Sequence, residues 1–219
     1  MMGPVAPHFQ PQPSDVLDLI NRHPLAWVVG PDLSAIPLPI RPTLNGDGEL
    51  AGFHGHMPRR LTGSFDDDPT VLLLFSGAEA YLSPSWFANR RQAPTWASQS
   101  AAFRCSIRFI EEPDALRESL SDLINSQEEG RANGWSLKEL GERYQQLARF
   151  IIPFRCEILE SRIAFRLGQD EDEQTFADVI AGLVSEGNAE FAALMQSFRP
   201  ASPQASSLAL EVAKGSSAP

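Results

Sequence analysis

Apolar residues recur along this chain in two rhythms, and the change from one to the other falls at Glu111–Pro113. Before it, Ser14 is placed to cap a short amphipathic helix whose face is Val16, Leu17, Leu19 and Ile20, ending at Pro24. Brief apolar runs follow at 23–30 (HPLAWVVG) and 33–42 (LSAIPLPIRP), predicting strands, the second held at an edge or bulge by Pro37 and Pro39. The turn signal NGDG at 45–48 pairs 33–42 with 49–56 as a hairpin. A loop over 57–69, carrying Pro58, Gly63 and the acidic run Asp66–Asp68, leads to a buried strand at 70–77. Residues 80–87 start as a strand and break at Pro84, and 93–110 supply one long strand or two short ones. Beyond Pro113 the spacing turns helical. Leu116, Leu120, Leu123 and Ile124 mark a helix over 114–129, and Leu137, Leu140, Tyr144, Leu147 and Ile151 a second over 136–151. A closing hairpin over 152–159 and 162–168, turning at Glu160–Ser161, precedes helices at 174–186 and 188–198. The sum is a mainly β protein with α: a small closed or split β-barrel over 14–198 with a helical insert at 114–151. Residues 1–13 are expected to be an extended arm and 199–219 a disordered tail.

Composition narrows the function classes. The 219 residues carry a formal charge of −10 and no clustered Lys and Arg, which counts against nucleic acid as a partner. The N-terminus has no charged-then-apolar leader, and no apolar run reaches the length of a membrane span. Cys105 and Cys156 are far apart, sit in apolar segments and form no metal pattern, so reduced core thiols and a cytoplasmic setting are expected.

Candidate chemistry gathers in GFHGHMPRR, 52–60, which holds two of the four histidines and two adjacent arginines. In an extended strand His54 and His56 share a face, and Gly55 would leave the other face open to something bulky. An imidazole followed by Met57, Arg59 and Arg60 suits a metal-centred cofactor with acidic arms. A hydrogen-bonded structural histidine is the competing reading. Ser83 and Ser85 beside Trp86 offer hydroxyls to a phosphate or carboxylate, or simply form a Ser-Pro turn. Thr95 and Trp96 offer a wall of a flat pocket, or core packing. Arg90 and Arg91 neutralise an anion or face water. No Gly-rich phosphate loop and no GxSxG elbow is present.

Taken in order, HPLAWVV, AIPLPI, ELAGFHGHM, AYLSPSWF, APTW and AFRLGQ resemble the PaiB-like family of flavin-binding split barrels, over most of residues 9–184. The specific part is SPSW followed closely by PTW. The resemblance implies a homodimeric split barrel related to pyridoxamine phosphate oxidases, with a cofactor at or near the subunit interface. Two departures stand out: Ala35, Ile36, Pro37 and Leu38 replace the usual Asn-His-Leu-Pro, and Ala97 and Ser98 replace Asn-Tyr after PTW. In its proline-rich strand and the alanine before PTW, the chain is similar to the haem-dependent piperazate synthases of that family. That likeness implies haem b as cofactor and His56 as its iron ligand; His54 is an extra histidine, by its chemistry a candidate catalytic acid, a distal base, a partner behind the ligand or a bystander. Met57, Arg59, Arg60, Ser83, Trp86, Thr95 and Trp96 would line the cofactor. The substrate class would be an N-hydroxylated diamine such as N5-hydroxyornithine, closed to a ring through a nitrogen–nitrogen bond. The alternatives are an FMN-binding oxidoreductase and a regulatory protein without turnover.

Overall fold

The computed structural model describes residues 5–65 and 68–199; the tail predicted from 199 lies almost wholly outside them, as does part of the predicted arm. Six strands, β1 (Leu25–Val29), β2 (Ala35–Leu44), β3 (Leu50–Pro58), β4 (Thr70–Leu82), β5 (Thr95–Phe109) and β6 (Ile151–Arg166), form a closed antiparallel barrel in the order β1-β2-β3-β6-β5-β4. Helix α1 (Pro13–Arg22) precedes the barrel strands. Helices α2 (Pro113–Glu128) and α3 (Arg143–Ala148) lie between β5 and β6, and α4 (Glu173–Ser185) and α5 (Ala189–Ser197) follow β6. The chain divides into two compact units, one of residues up to Gly77 with Gln99–Phe165, the other of Ala78–Ser98 with Arg166 onward.

The first unit holds the barrel core. Phe53, Phe75 and Phe103 meet with ring centroids 4.8–6.0 Å apart, the separations that tilted and edge-to-face aromatic pairs favour. Ile40, Met57, Leu73, Ile152 and Phe154 complete the filling. Both free thiols, Cys105 and Cys156, belong to this interior, and burial pushes Cys105 up to about 12 and Cys156 higher still. Val16, Leu19 and Ile20 of α1 are buried, and the helix packs on β2. Its start differs from expectation: Asp15 accepts from the Gln12 backbone N–H at 2.9 Å, so the cap lies at Gln12 and Ser14 is already helical.

The hairpin of β2 and β3 forms as its turn predicts. The Asn45 side-chain oxygen accepts from the N–H groups of Asp47 and Glu49 at 3.0 and 2.9 Å, and Gly48 supplies a φ of +80°. Pro37 and Pro39 sit where one side of β2 is locally an open edge, as expected, although the strand as a whole has neighbours on both sides. They occupy the half of β2 that pairs with β1, whereas the ladder to β3 runs over Ile40–Leu44, where most residues keep their N–H.

Two expected breaks are absent and one expected helix is broken. β4 runs unbroken through 78–79, and β6 unbroken through Glu160–Ser161, because neither stretch contains a residue that forces the backbone out of extension. The helix expected over 136–151 is instead a single 3₁₀ turn, Leu137–Leu140, followed by α3, because Gly141 adopts a φ of +52° that no right-handed helix accommodates. The loop after β3 contains a 3₁₀ helix over Arg59–Phe65.

In the second unit α4 and α5 pack together, and the turn Pro84–Trp86 docks on α4. The indole of Trp86 lies over Gly182 and donates its N–H to Glu186 at 3.0 Å. Ala88 N–H donates to Asp178 at 2.7 Å.

Close approach makes one barrel glycine a sensitive test of this packing. A Cβ at Gly52 would fall on the carbonyl oxygen of Cys156, which is backbone and cannot swing away. Gly52→Ala is therefore expected to destabilise the protein by about 1–3 kcal/mol, read as a lower urea midpoint with an unchanged slope.

Candidate functional site

Register decides where the histidines point. On β3, Phe53, Gly55 and Met57 are buried, so the intervening His54 and His56 project together from the outer face. The inner side at Gly55 is not open: a Cβ there would meet Phe154 and Ile40 at 3.0 and 3.1 Å. Met57, only 1% exposed, belongs to the core and turns away from the face that carries the two imidazoles.

The two histidines have different surroundings. His54 Nδ1 lies 3.2 Å from the Thr43 hydroxyl and Nε2 lies 3.1 Å from Asp122 Oδ2, so both ring nitrogens are engaged. A tautomer protonated at Nε2 satisfies both contacts, donating to the carboxylate and accepting the Thr43 O–H. The same Asp122 oxygen accepts from Arg41 Nε at 3.2 Å, and Arg41 in turn donates to Asn21 at 3.0 Å. This chain of contacts ties α1 and α2 to the outer face of β2 and β3.

His56 has no such support. Its cross-strand neighbour on β6 is Pro153, which has no N–H, and its Nδ1 is buried with no hydrogen-bond partner among the described residues. Burial pulls its pKa below the ordinary imidazole value. A neutral imidazole with an idle, desolvated ring nitrogen is the state in which histidine ligates a metal.

The arginines divide likewise. Arg59 places Nη1 at 3.1 and 3.0 Å from the two oxygens of Glu111 and is committed there. Arg60 is exposed and has no ion pair among the described residues.

The remaining candidates belong to the second unit. Ser83 and Ser85 hydrogen-bond to each other at 2.7 Å, and the Ser83 oxygen caps the Pro84–Trp86 turn, so these hydroxyls serve the turn. Trp86 is fixed on α4, as described above. Thr95 is exposed. Trp96 is 57% exposed and meets Tyr81 edge-on at 5.8 Å, an aromatic pair facing outward rather than core packing.

Sequence reasoning missed Asp122, Arg41 and Thr43, the residues that hold His54. It also missed a cleft of about 440 Å³ beside them, lined by Thr43, His54 and Arg155 from the strands and by Glu118, Ser119 and Asp122 from α2. The one available signal was the spacing of Glu118, Ser119 and Asp122, which puts a polar stripe on a single helix face.

Comparison with known proteins adds the lineage. A family model described as "Putative FMN-binding domain" matches residues 4–160. Protein PAI 2 of Bacillus subtilis, described as a protease synthase and sporulation protein, is 28% identical over 126 residues, 57% of this chain. The match spans 60% of that relative's length. Among solved structures, the flavocytochrome Anf3 of Azotobacter vinelandii superposes with a TM-score of 0.53 at 16% identity, covering 77% of this chain and 74% of its own. The conserved protein Rv2991 of Mycobacterium tuberculosis also reaches 0.53, at 12% identity over 75% of this chain and 91% of its own. An FAD- and haem-binding protein of Mycobacterium smegmatis gives 0.50 at 17% identity, covering 79% of each chain. At these identities the superpositions establish a shared fold.

The buried imidazole predicts a pH dependence in the cofactor-free protein. The unfolded chain titrates His56 near 6.5, whereas the folded chain resists that proton. Below that value the unfolded state binds more protons, so the His56 contribution is complete above it and is lost as pH falls. The urea midpoint is expected to drop between pH 7 and 5.5, and to drop less in His56→Leu. Equal drops in the two proteins would show that His56 is not the group responsible.

Proposed function

This chain belongs to the FMN-binding domain family of PaiB-like split barrels, and from that premise we propose that it is a haem enzyme in which His56 ligates the iron. The observation that carries the reading is the buried, unpartnered Nδ1 of His56 on the outer barrel face. Among the described residues no three His, Cys, Asp or Glu side chains gather as a ligand set. A porphyrin brings four nitrogens of its own and asks the protein for a single imidazole. The names of two structural relatives, a flavocytochrome and an FAD- and haem-binding protein, support porphyrin chemistry on this fold.

The reaction we propose is dehydrative cyclisation of an N-hydroxylated diamine such as N5-hydroxyornithine, with a second amine forming the nitrogen–nitrogen bond and water leaving. Haem, when bound, supplies a Lewis-acidic iron that weakens an N–O bond. The chain's own part begins with burial, which keeps the His56 imidazole neutral and able to ligate. Arg60 is the cation left for an acidic arm of the cofactor, since Arg59 is held by Glu111. As proton donor His54 would give up the Nε2 proton that it shares with Asp122, while its Nδ1 accepts from Thr43. Two free thiols in the core accord with a reducing, cytoplasmic setting.

FMN is the second reading, favoured by the description of the family model. The phosphate cradle it needs is poorly supplied: Ser83 and Ser85 bond to each other, and Arg59 bonds to Glu111. Thr95 is the remaining hydroxyl, and Trp96 the exposed ring on which an isoalloxazine could stack.

A second copy of the chain is the partner we propose. The outer face of β1 exposes Leu25 and Trp27 at 63% and 51%, and Trp27 lies opposite Pro37 and Leu74 in the two adjoining ladders. An apolar sheet face of this kind is what a two-fold interface covers.

Purified protein reconstituted with haemin is expected to show a Soret band that His56→Ala loses or retains only weakly. An unchanged band in that variant removes His56 from the ligand role, and a bound flavin spectrum selects the FMN reading. By light scattering after gel filtration the chain is expected to have twice its monomer mass, reduced to one by Trp27→Glu. A monomeric wild-type chain would remove the partner.

A further inference from the structure

We propose that the cleft between α2 and the outer face of β2, β3 and β6 binds a small amphoteric molecule, one carrying both an ammonium and a carboxylate group. Its volume, about 440 Å³, lies within the span of small-molecule sites.

The argument starts from the helix. A helix lying on a sheet ordinarily turns an apolar stripe toward it. The face of α2 that lines this cleft is instead Ala115, Glu118, Ser119 and Asp122, at i, i+3, i+4 and i+7, which brings two carboxylates and a hydroxyl to one wall. Leu116, one position away and buried, shows that the apolar stripe of the helix points elsewhere.

Across the gap stand Thr43, His54 and Arg155, with Arg155 directly opposite His54 in the β3–β6 ladder. The cleft is therefore acidic on its helix side and carries a guanidinium on its sheet side. Glu118 and Arg155 line the same space with opposite charges, yet neither has a hydrogen bond or ion pair among the described residues.

The two walls are joined at one side by the set of contacts through Asn21, Arg41, Asp122, His54 and Thr43. Those contacts use only Oδ2 of Asp122, which leaves Oδ1 uncommitted among the described residues. Both charges of a matching molecule are then met: the ammonium by Glu118 and the free oxygen of Asp122, the carboxylate by Arg155 as a fork of N–H donors. Ser119 adds a hydroxyl, and Ile110, Leu44 and the neighbouring prolines supply apolar surface for a side chain. A plain anion would meet two carboxylates and a plain cation the guanidinium, so one-charge molecules are disfavoured.

This inference needs neither a metal nor a cofactor and does not rest on His56 as a ligand, although His54, the proton donor proposed above, lines the same cleft. Calorimetric titration of the cofactor-free full chain at pH 7.5 tests it with L-glutamine, L-leucine and L-lysine, and with pentanoate and butylamine as one-charge controls. At least one amino acid is expected to bind with a Kd under 1 mM, and the controls not at all. Glu118→Gln and Arg155→Ala, both at exposed positions, are each expected to weaken that binding at least tenfold, and Ser119→Leu, which fills the cleft, to abolish it. No heat from any of the three amino acids, equal binding of a control, or binding unaltered by Glu118→Gln and Ser119→Leu would overturn the proposal. None of these outcomes depends on a Soret band, so the two readings fail separately.

Discussion

The two-residue alternation of β3, clamped between β2 and β6 in a closed barrel, is the constraint on which the rest of this structure depends. β2 pairs with β3 over Leu50–Gly55 and β6 does so over Gly52–Pro58, and a slip of one residue would put His54 and His56 into a phenylalanine core and Phe53 and Met57 into water. Gly52 and Gly55, on opposite faces of the strand, deepen the constraint. One lies against the backbone of Cys156 and the other under Phe154 and Ile40, so neither tolerates a larger side chain without moving the strand. The aromatic cluster of Phe53, Phe75 and Phe103 thus fixes the position of two imidazoles that it never touches.

On that face, two histidines of identical chemistry meet different neighbours. His54 has a hydroxyl on one nitrogen and a carboxylate on the other, and its contacts link two helices to the sheet. His56, two residues on, faces a proline across the ladder and keeps a dry nitrogen without a partner. A buried polar atom left unpaired costs about 1–3 kcal/mol in an ordinary fold.

Local chemistry wrote much of this plainly in the sequence. The NGDG turn and its flanking apolar runs identified the β2–β3 hairpin, and alternation alone placed His54 and His56 on one face. What alternation cannot say is which face looks inward. Phe53 and Met57 at the same parity carried that answer, and it removes Met57 from the imidazole face. The break expected at Glu160–Ser161 was read from polarity, but an exposed polar pair needs no turn when the strand continues through it. Asp122 was invisible for another reason. It lies 68 residues from His54, and only the packing of α2 on the barrel brings the two together. SPSW followed closely by PTW was the specific part of the family match, but Ser83, Ser85 and Trp86 prove to be parts of a turn seated on α4.

The two core thiols bear on any redox cofactor held by this barrel. Oxidants attack thiolate rather than thiol, and burial pushes Cys105 to about 12 and Cys156 beyond it, so near neutrality almost no sulfur anion exists to be struck. Peroxide escaping from a flavin or an iron porphyrin on the outside would find the interior chemically mute. The fold is in this sense insulated from the hazards of the chemistry it would carry.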